Sequence, residues 1–307
     1  MDLLSTLQQL VRRGLQALGA RSELHEIDGH QVHAYRIQGA GQGPPVVLVH
    51  GLASSANGFI RVLRPLAERF SVVYAVDLPG NGFSPLPAGG PLGLRAQLEV
   101  LHGFVRDVVR TPAFVVGNSL GGALTLMLGA EHPEDVAALG LVAPAGARLS
   151  ARAYAELMSM LDVRSNADAL RLTRALFHRP PRFAPLLAPG MRRMHAAPAV
   201  RAIRNGARPE DHVPPEALAR LQAPVLMLWG GSEKLLPAEM LAWYRANLPR
   251  SARIEVVDGF GHVPQVERPR ELVERLGRFA TEAGFSPPQP PGGRRRRLSA
   301  RRASVPS

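Results

Sequence analysis

No stretch of this chain limits its fold as tightly as Gly117-Asn118-Ser119-Leu120-Gly121. The apolar residues Ala113–Val116 lead into it, and the helix-forming residues Leu120–Leu128 lead out. In that setting the serine occupies a strand-to-helix turn sharp enough to strain its backbone and lift its hydroxyl above a sheet. Glycine two residues to either side is what such a turn demands, because a side chain there would strike the neighbouring elements. The helix that follows turns its positive end toward the serine. The same five residues in an ordinary loop would mean little; the strand before and the helix after give them their meaning.

The rest of the chain repeats this alternation. Pro45–His50, Ser71–Val76, Ala113–Gly117, Ala138–Val142, Val225–Trp229 and Ala252–Val257 are short apolar runs suited to strands buried on both faces. Helical patterns lie between them, near residues 57–69, 94–110, 120–131, 237–247 and 268–282. Alternation of this kind predicts an α/β fold, a mostly parallel sheet with helices on both faces. Two further strand-like segments, Ser22–Ile27 and Gln31–Gln38, flank a turn at Gly29 and predict an antiparallel edge.

Between Ala143 and Leu221 no strand is evident, and helical stretches are separated by Pro180, Pro181, Pro185, Pro189 and Pro198. An interval of that length cannot be a structureless loop in a compact domain. Residues 147–215 therefore read as a helical cap inserted after the sixth main strand, with 22–146 and 216–284 as the core. Residues 1–21 carry Leu3, Leu4, Leu7, Leu10, Val11, Leu15 and Leu18 at helical spacing, an amphipathic helix that packs on the domain or lies at a lipid interface. From 285 to 307 the composition turns to Pro, Gly, Ser and Arg and predicts disorder.

Composition bounds the chemistry. The 307 residues are 46% hydrophobic, enough for one large core with a small subdomain, and contain no cysteine. Disulfides, thiolate metal sites and a cysteine nucleophile are thereby excluded. No apolar run approaches the roughly 20 residues needed to span a bilayer, and no secretory pattern opens the chain, so a cytoplasmic enzyme is expected. Of the net charge of +12, six charges belong to Arg294–Arg297, Arg301 and Arg302, which leaves +6 elsewhere. No nucleic-acid motif accompanies the arginines, so the folded body is not expected to bind nucleic acid. Weak contact with a membrane or another anionic surface falls to the N-terminal helix or the Arg-rich tail.

A serine hydroxyl needs a positioned base. His262, in Gly259-Phe260-Gly261-His262, follows the last strand and so reaches the carboxyl edge of the sheet, where Ser119 also emerges. His178, His195 and His212 fall in the cap, and His132 ends the helix after Ser119. The base needs an acid to fix its tautomer, and the chain order Ser, acid, His selects Glu233 in the loop after Val225–Trp229. Asp258, four residues before the base, is next in line. Negative charge developing on a carbonyl oxygen needs donors. The N–H of Leu120 and that of Leu52, after His50-Gly51, are the candidates, and His50 itself is assigned a structural role.

His50-Gly51, Asp77-Leu78-Pro79-Gly80-Asn81-Gly82-Phe83-Ser84, the serine motif, Trp229-Gly230…Pro237 and Gly261-His262…Glu267 stand in register. Residues 22–284 resemble the α/β-hydrolase superfamily, with particular likeness to capped carboxylesterases and monoacylglycerol-lipase-like members. The resemblance implies a serine hydrolase that cleaves a hydrophobic ester through an acyl-enzyme on Ser119, without cofactor or metal. It also gives Asp77 a supporting role below the site. The acid loop of such proteins more commonly carries Asp where this chain has Glu233. Leu157, Met158, Met160, Leu161, Phe177, Leu186, Leu187, Met191 and Met194 supply an adaptable apolar wall in the cap. Gly117-Asn118-Ser119 and Gln265 are shared with carbon–carbon bond hydrolases of meta-cleavage products, a second reading that Val263 and Val266 oppose, since tryptophans are usual there. A non-catalytic ligand-binding protein on the same fold is the third.

Overall fold

The computed structural model describes residues 3–285. Its centre is a set of strands rich in valine, leucine and alanine. Every residue of β3 (Val46–Val49), β4 (Val72–Val76), β5 (Ala113–Asn118) and β7 (Val225–Gly230) is buried, as expected where helices cover both faces of a parallel sheet. With β1 (Arg21–Ile27), β2 (His30–Gln38), β6 (Val136–Val142) and β8 (Arg253–Val257) they form one eight-stranded sheet, in the order β1-β2-β4-β3-β5-β6-β7-β8. β1 pairs β2, and β2 pairs β4, antiparallel; every other pairing is parallel.

One face is covered by α3 (Leu94–Phe104), α4 (Leu120–Glu131) and α10 (Ala238–Asn247), which bury Leu98, Leu101, Leu124, Leu128 and Met240 against it. The other is covered by α2 (Ile60–Ala67) and α12 (Pro269–Glu282), through Leu63, Leu66, Leu272 and Leu276. At roughly 1.5–3 kcal/mol for each fully buried aliphatic side chain, these two layers supply the main drive for folding. The helical pattern over 94–110 is interrupted: α3 ends at Phe104 and Val105–Val109 form a wider π turn closed by Arg110 at φ +62°. α1 (Leu3–Ala17) docks through Leu15 and partly through Val11, while Leu7 and Leu10 stay exposed.

Between β6 and β7 the chain forms α5 (Ala151–Leu161), α6 (Asn166–Leu176), α7 (Ala184–Ala196), α8 (Pro198–Gly206) and α9 (Pro215–Ala219). Local chemistry sets their starts. Ser165 and Asp168 make a reciprocal capping box on α6, and Ser150 caps α5. Pro198 and Pro215 open α8 and α9, where a missing N–H costs nothing. The Arg-rich segment expected to be disordered lies outside the described residues beyond Phe285.

Candidate active site

The sheet order places β3 between β4 and β5, so successive crossovers leave β3 in opposite directions. Crevices open at the carboxyl ends of strands where such a reversal occurs. The loops after β3 and β5 meet there, carrying Leu52 and Ser119.

Ser119 has φ +55° and ψ −118°, a conformation that residues other than glycine rarely adopt. The flanking glycines explain how it is tolerated. A Cβ on Gly117 would stand 2.1 Å from the Gly121 carbonyl oxygen, and one on Gly121 would stand 2.3 Å from the Val49 carbonyl oxygen. Hydrogen bonds lock the turn: Ser119 N–H donates to the Val142 carbonyl at 3.1 Å, and its own carbonyl accepts from Ala145 at 3.0 Å. Gly51 matters equally, since a Cβ there would press to 3.1 Å on the Ser119 Cβ.

His262 and Glu233 are brought together in the interior. His262 Nδ1 lies 2.8 Å from Glu233 Oε2, and the two side chains are 3% and 2% exposed. The other carboxylate oxygen accepts from the Leu235 and Leu236 amides at 2.8 and 3.1 Å. Burial pushes the Glu233 carboxyl up, but attraction to His262, the hydrogen bond to it and the two amides outweigh burial and leave it below the usual glutamate range. An ionised Glu233 accepts from Nδ1–H, which leaves Nε2 as the imidazole's acceptor. Asp258 sits elsewhere, its carboxylate packed over Gly231.

Among the described residues, neither the Leu52 nor the Leu120 backbone N–H finds an acceptor. Both residues border the same cavity as Ser119. His50 is fixed by its neighbours: Nδ1–H donates to the Gly51 carbonyl at 2.8 Å, and Nε2 accepts from the Leu78 N–H at 3.1 Å. With both nitrogens occupied it is a strut for this loop. Asp77 is a second strut, accepting from His33 Nδ1 at 2.7 Å, Ala56 N–H at 2.6 Å and Phe83 N–H at 3.0 Å.

Two sets of contacts join these pieces. Asn118 Nδ2 donates to the Val142 and His262 carbonyls, both at 3.0 Å, and Gln265 Nε2 donates to Asn118 Oδ1 at 2.9 Å. The residue beside Ser119 thus holds the backbone of His262. The helical segment after β6 grips the same loops. His262 N–H donates to the Leu176 carbonyl at 2.8 Å, and Glu267 accepts the His178 and Arg179 amides at 3.0 Å each. His178 Nδ1 lies 2.7 Å from Ser232 Oγ, beside the acid loop. These tying roles of Asn118, Gln265, Glu267 and His178 were not read from the sequence. Its one usable signal was the amide-bearing pair, Asn118 inside the serine motif and Gln265 three residues after His262.

The cavity over Ser119 has a volume of about 680 Å³. Its walls come from the core (Ala123, Met127, Leu235, Met240) and from the helices after β6. The wall expected from the sequence needs correction. Leu157, Met158 and Leu161 line the cavity, but Met160, Phe177, Leu186, Leu187, Met191 and Met194 do not. Met191 instead packs beneath the insertion's own helices, and Leu186 faces solvent. Of the histidines placed there, His212 borders the cavity, while His195 is buried near the Leu161 carbonyl.

Residues 46–275 match the family described as the alpha/beta hydrolase family. A pimeloyl-[acyl-carrier protein] methyl ester esterase of Chromobacterium violaceum is 29% identical over 260 residues, 78% of this chain and 95% of that protein. A solved membrane phospholipase A superposes with a TM-score of 0.80 at 29% identity, covering 92% of this chain and 93% of that one. A 2-hydroxy-6-oxo-6-phenylhexa-2,4-dienoate hydrolase from a Rhodococcus species superposes with a TM-score of 0.72 at 24% identity, covering 87% and 99%, a likeness of fold alone.

Proposed function

We propose, from the premise that this chain belongs to the alpha/beta hydrolase family and is a hydrolase, that it cleaves a hydrophobic carboxylic ester through an acyl-enzyme on Ser119. Ser119 Oγ attacks the ester carbonyl while His262 Nε2 takes its proton. Glu233 keeps the imidazole in the required tautomer and stabilises the cation that forms. The free N–H groups of Leu52 and Leu120 receive the developing oxyanion, each worth about 3 kcal/mol in sites of this type. The imidazolium then gives its proton to the departing alkoxide, and water repeats the sequence on the acyl group. Helices α5–α9 act as a cap that excludes bulk water and supplies part of the apolar wall.

The observation that carries this reading is the buried Glu233–His262 hydrogen bond, tied by Asn118 to a strained serine beside two unused N–H donors. A non-catalytic binding role would not call for a serine held under strain. Carbon–carbon hydrolysis of a meta-cleavage product is the second reading, favoured by the Asn118–Gln265 pair. Val263 and Val266 stand against it. A series of p-nitrophenyl esters run beside a meta-cleavage dienone separates the two. Ester hydrolysis predicts kcat/KM rising up to about fourfold per added methylene until the cavity is full, in line with about 0.8 kcal/mol per buried CH2. Turnover of the dienone without any ester would overturn the proposal. Among the described helices none is long and apolar enough to cross a membrane. A cytoplasmic location is part of this proposal, and cell fractionation tests it.

A further inference from the structure

Residues 169–209 hold nine arginines and not one aspartate or glutamate. Together with the six arginines of 294–302 they exceed the net charge of +12, so the rest of the chain is net acidic. The acid-free stretch is α6 from Ala169 onward, α7 and α8, helices that adjoin one another. α7 packs against α6 on one side and α8 on the other, and it also meets α1. Arg174, Arg179, Arg182, Arg192 and Arg201 are exposed there. At the margins acids take up part of the charge, where Arg171 pairs with Asp168 at 2.9 Å and Arg204 with Asp162 at 3.0 Å.

Large apolar side chains stand exposed among these arginines. Leu186 is 69% and Phe183 58% exposed at the start of α7, and α1 beside it exposes Leu10 at 57%. Arg12 of α1 lies 4.8 Å over the Phe83 ring, which joins α1 to the loop that carries exposed Leu86. Ile203 and Arg204 of α8 belong both to this region and to the lining of the cavity over Ser119.

We propose that the face formed by α6, α7, α8 and α1 docks on an anionic lipid surface. Arginine heads would sit at the lipid phosphates while Phe183 and Leu186 enter the acyl boundary, the arrangement of interfacial helices. A nucleic acid would satisfy the arginines but give the aliphatic side chains nothing to enter. α8 lines part of the cavity over Ser119, so docking brings a lipid-borne ester close to that cavity. Docking itself does not depend on the hydrolase reading, and the test keeps the two apart.

The full-length protein is mixed with vesicles of phosphatidylcholine alone and of phosphatidylcholine with 30 mol% phosphatidylglycerol, and the bound fraction is measured by flotation. The expected result is binding that needs the anionic lipid. Each basic side chain near such a surface strengthens partitioning by about fivefold, so R182Q/R192Q should weaken it by about 25-fold. F183S/L186S should weaken it as well, and both variants should hydrolyse a soluble short-chain ester as the wild type does. Absence of binding to the anionic vesicles overturns the proposal. So does binding that both variants leave unchanged, which would assign it to another part of the chain. Retention of a single-stranded RNA oligonucleotide that F183S/L186S leaves intact, without vesicle binding, would assign the face to nucleic acid. Wild-type ester turnover in any of these cases shows that the hydrolase reading has not failed with it.

Discussion

Replacing Glu233 by glutamine changes one atom and should remove nearly all activity. The carboxylate makes three buried hydrogen bonds, to His262 Nδ1 and to the Leu235 and Leu236 amides. Glutamine can keep its oxygen on the two amides. Its NH2 then faces His262 Nδ1 and donates where Glu233 accepted. The imidazole must carry its proton on Nε2, so it can no longer take one from Ser119. Loss of the correct tautomer costs about 10⁴ in kcat in triads of this kind. Folding should suffer far less. The shapes match, two of three contacts survive, and a hydrogen bond to a charged group is worth about 1.5–3 kcal/mol. At roughly 2–4 °C per kcal/mol the melting temperature should fall by less than about 12 °C. The assay is kcat on a short-chain p-nitrophenyl ester beside a melting curve. A Glu233→Gln protein keeping more than a tenth of wild-type kcat would refute this reasoning and direct attention to Asp258.

Other outcomes follow from the same geometry. Gly117→Ala should cost about 3 kcal/mol, the upper range for overpacking, because backbone atoms of Gly121 stand 2.1–2.3 Å from the new Cβ; urea unfolding within 1 kcal/mol of wild type would contradict it. Asn118→Leu should cost about 2–3 kcal/mol and lower kcat, since the Val142 and His262 carbonyls lose their donor; unchanged stability and turnover would dismiss Asn118 as a tie. Burial holds His50 and His195 below the ordinary imidazole range. The unfolded chain therefore binds more protons below about pH 6.5, and stability should fall as pH drops through that value, by up to about 1 kcal/mol per histidine between 6.5 and 5.5. Glu233, depressed despite burial, adds a further loss below about pH 4.5. Urea midpoints that do not move between pH 7.5 and 5.5 would contradict the histidine part.

The placement of Ser119, His262 and Glu233 as a candidate triad was legible in the sequence because the chemistry fixes their order and the βα alternation fixes which sheet edge they reach. The structure brings His262 onto Glu233 and leaves Asp258 apart. His50 and Asp77 were legible as supports for the same reason, each sitting just after a strand. The cavity wall was not. Helical periodicity shows that one side of α7 is apolar, but not whether that side meets a cavity, the insertion's own core or water. Met191 went to the core and Leu186 to the surface. The ties between segments were also hidden, since Asn118 and His262 lie 144 residues apart and His178 and Glu267 lie 89 apart. The π turn at Val105–Val109 keeps helical composition and so leaves no mark in the pattern. Net charge concealed the basic face, because acids elsewhere offset it.

The central claim is that Ser119 is a nucleophile activated where it stands. A fluorophosphonate probe tests it directly, since it bonds only to a serine made reactive by its base and oxyanion donors. One label per chain is expected, located by mass spectrometry on the peptide that contains Ser119 and absent from Ser119→Ala. No label on the wild type, or a label that survives Ser119→Ala, would contradict it.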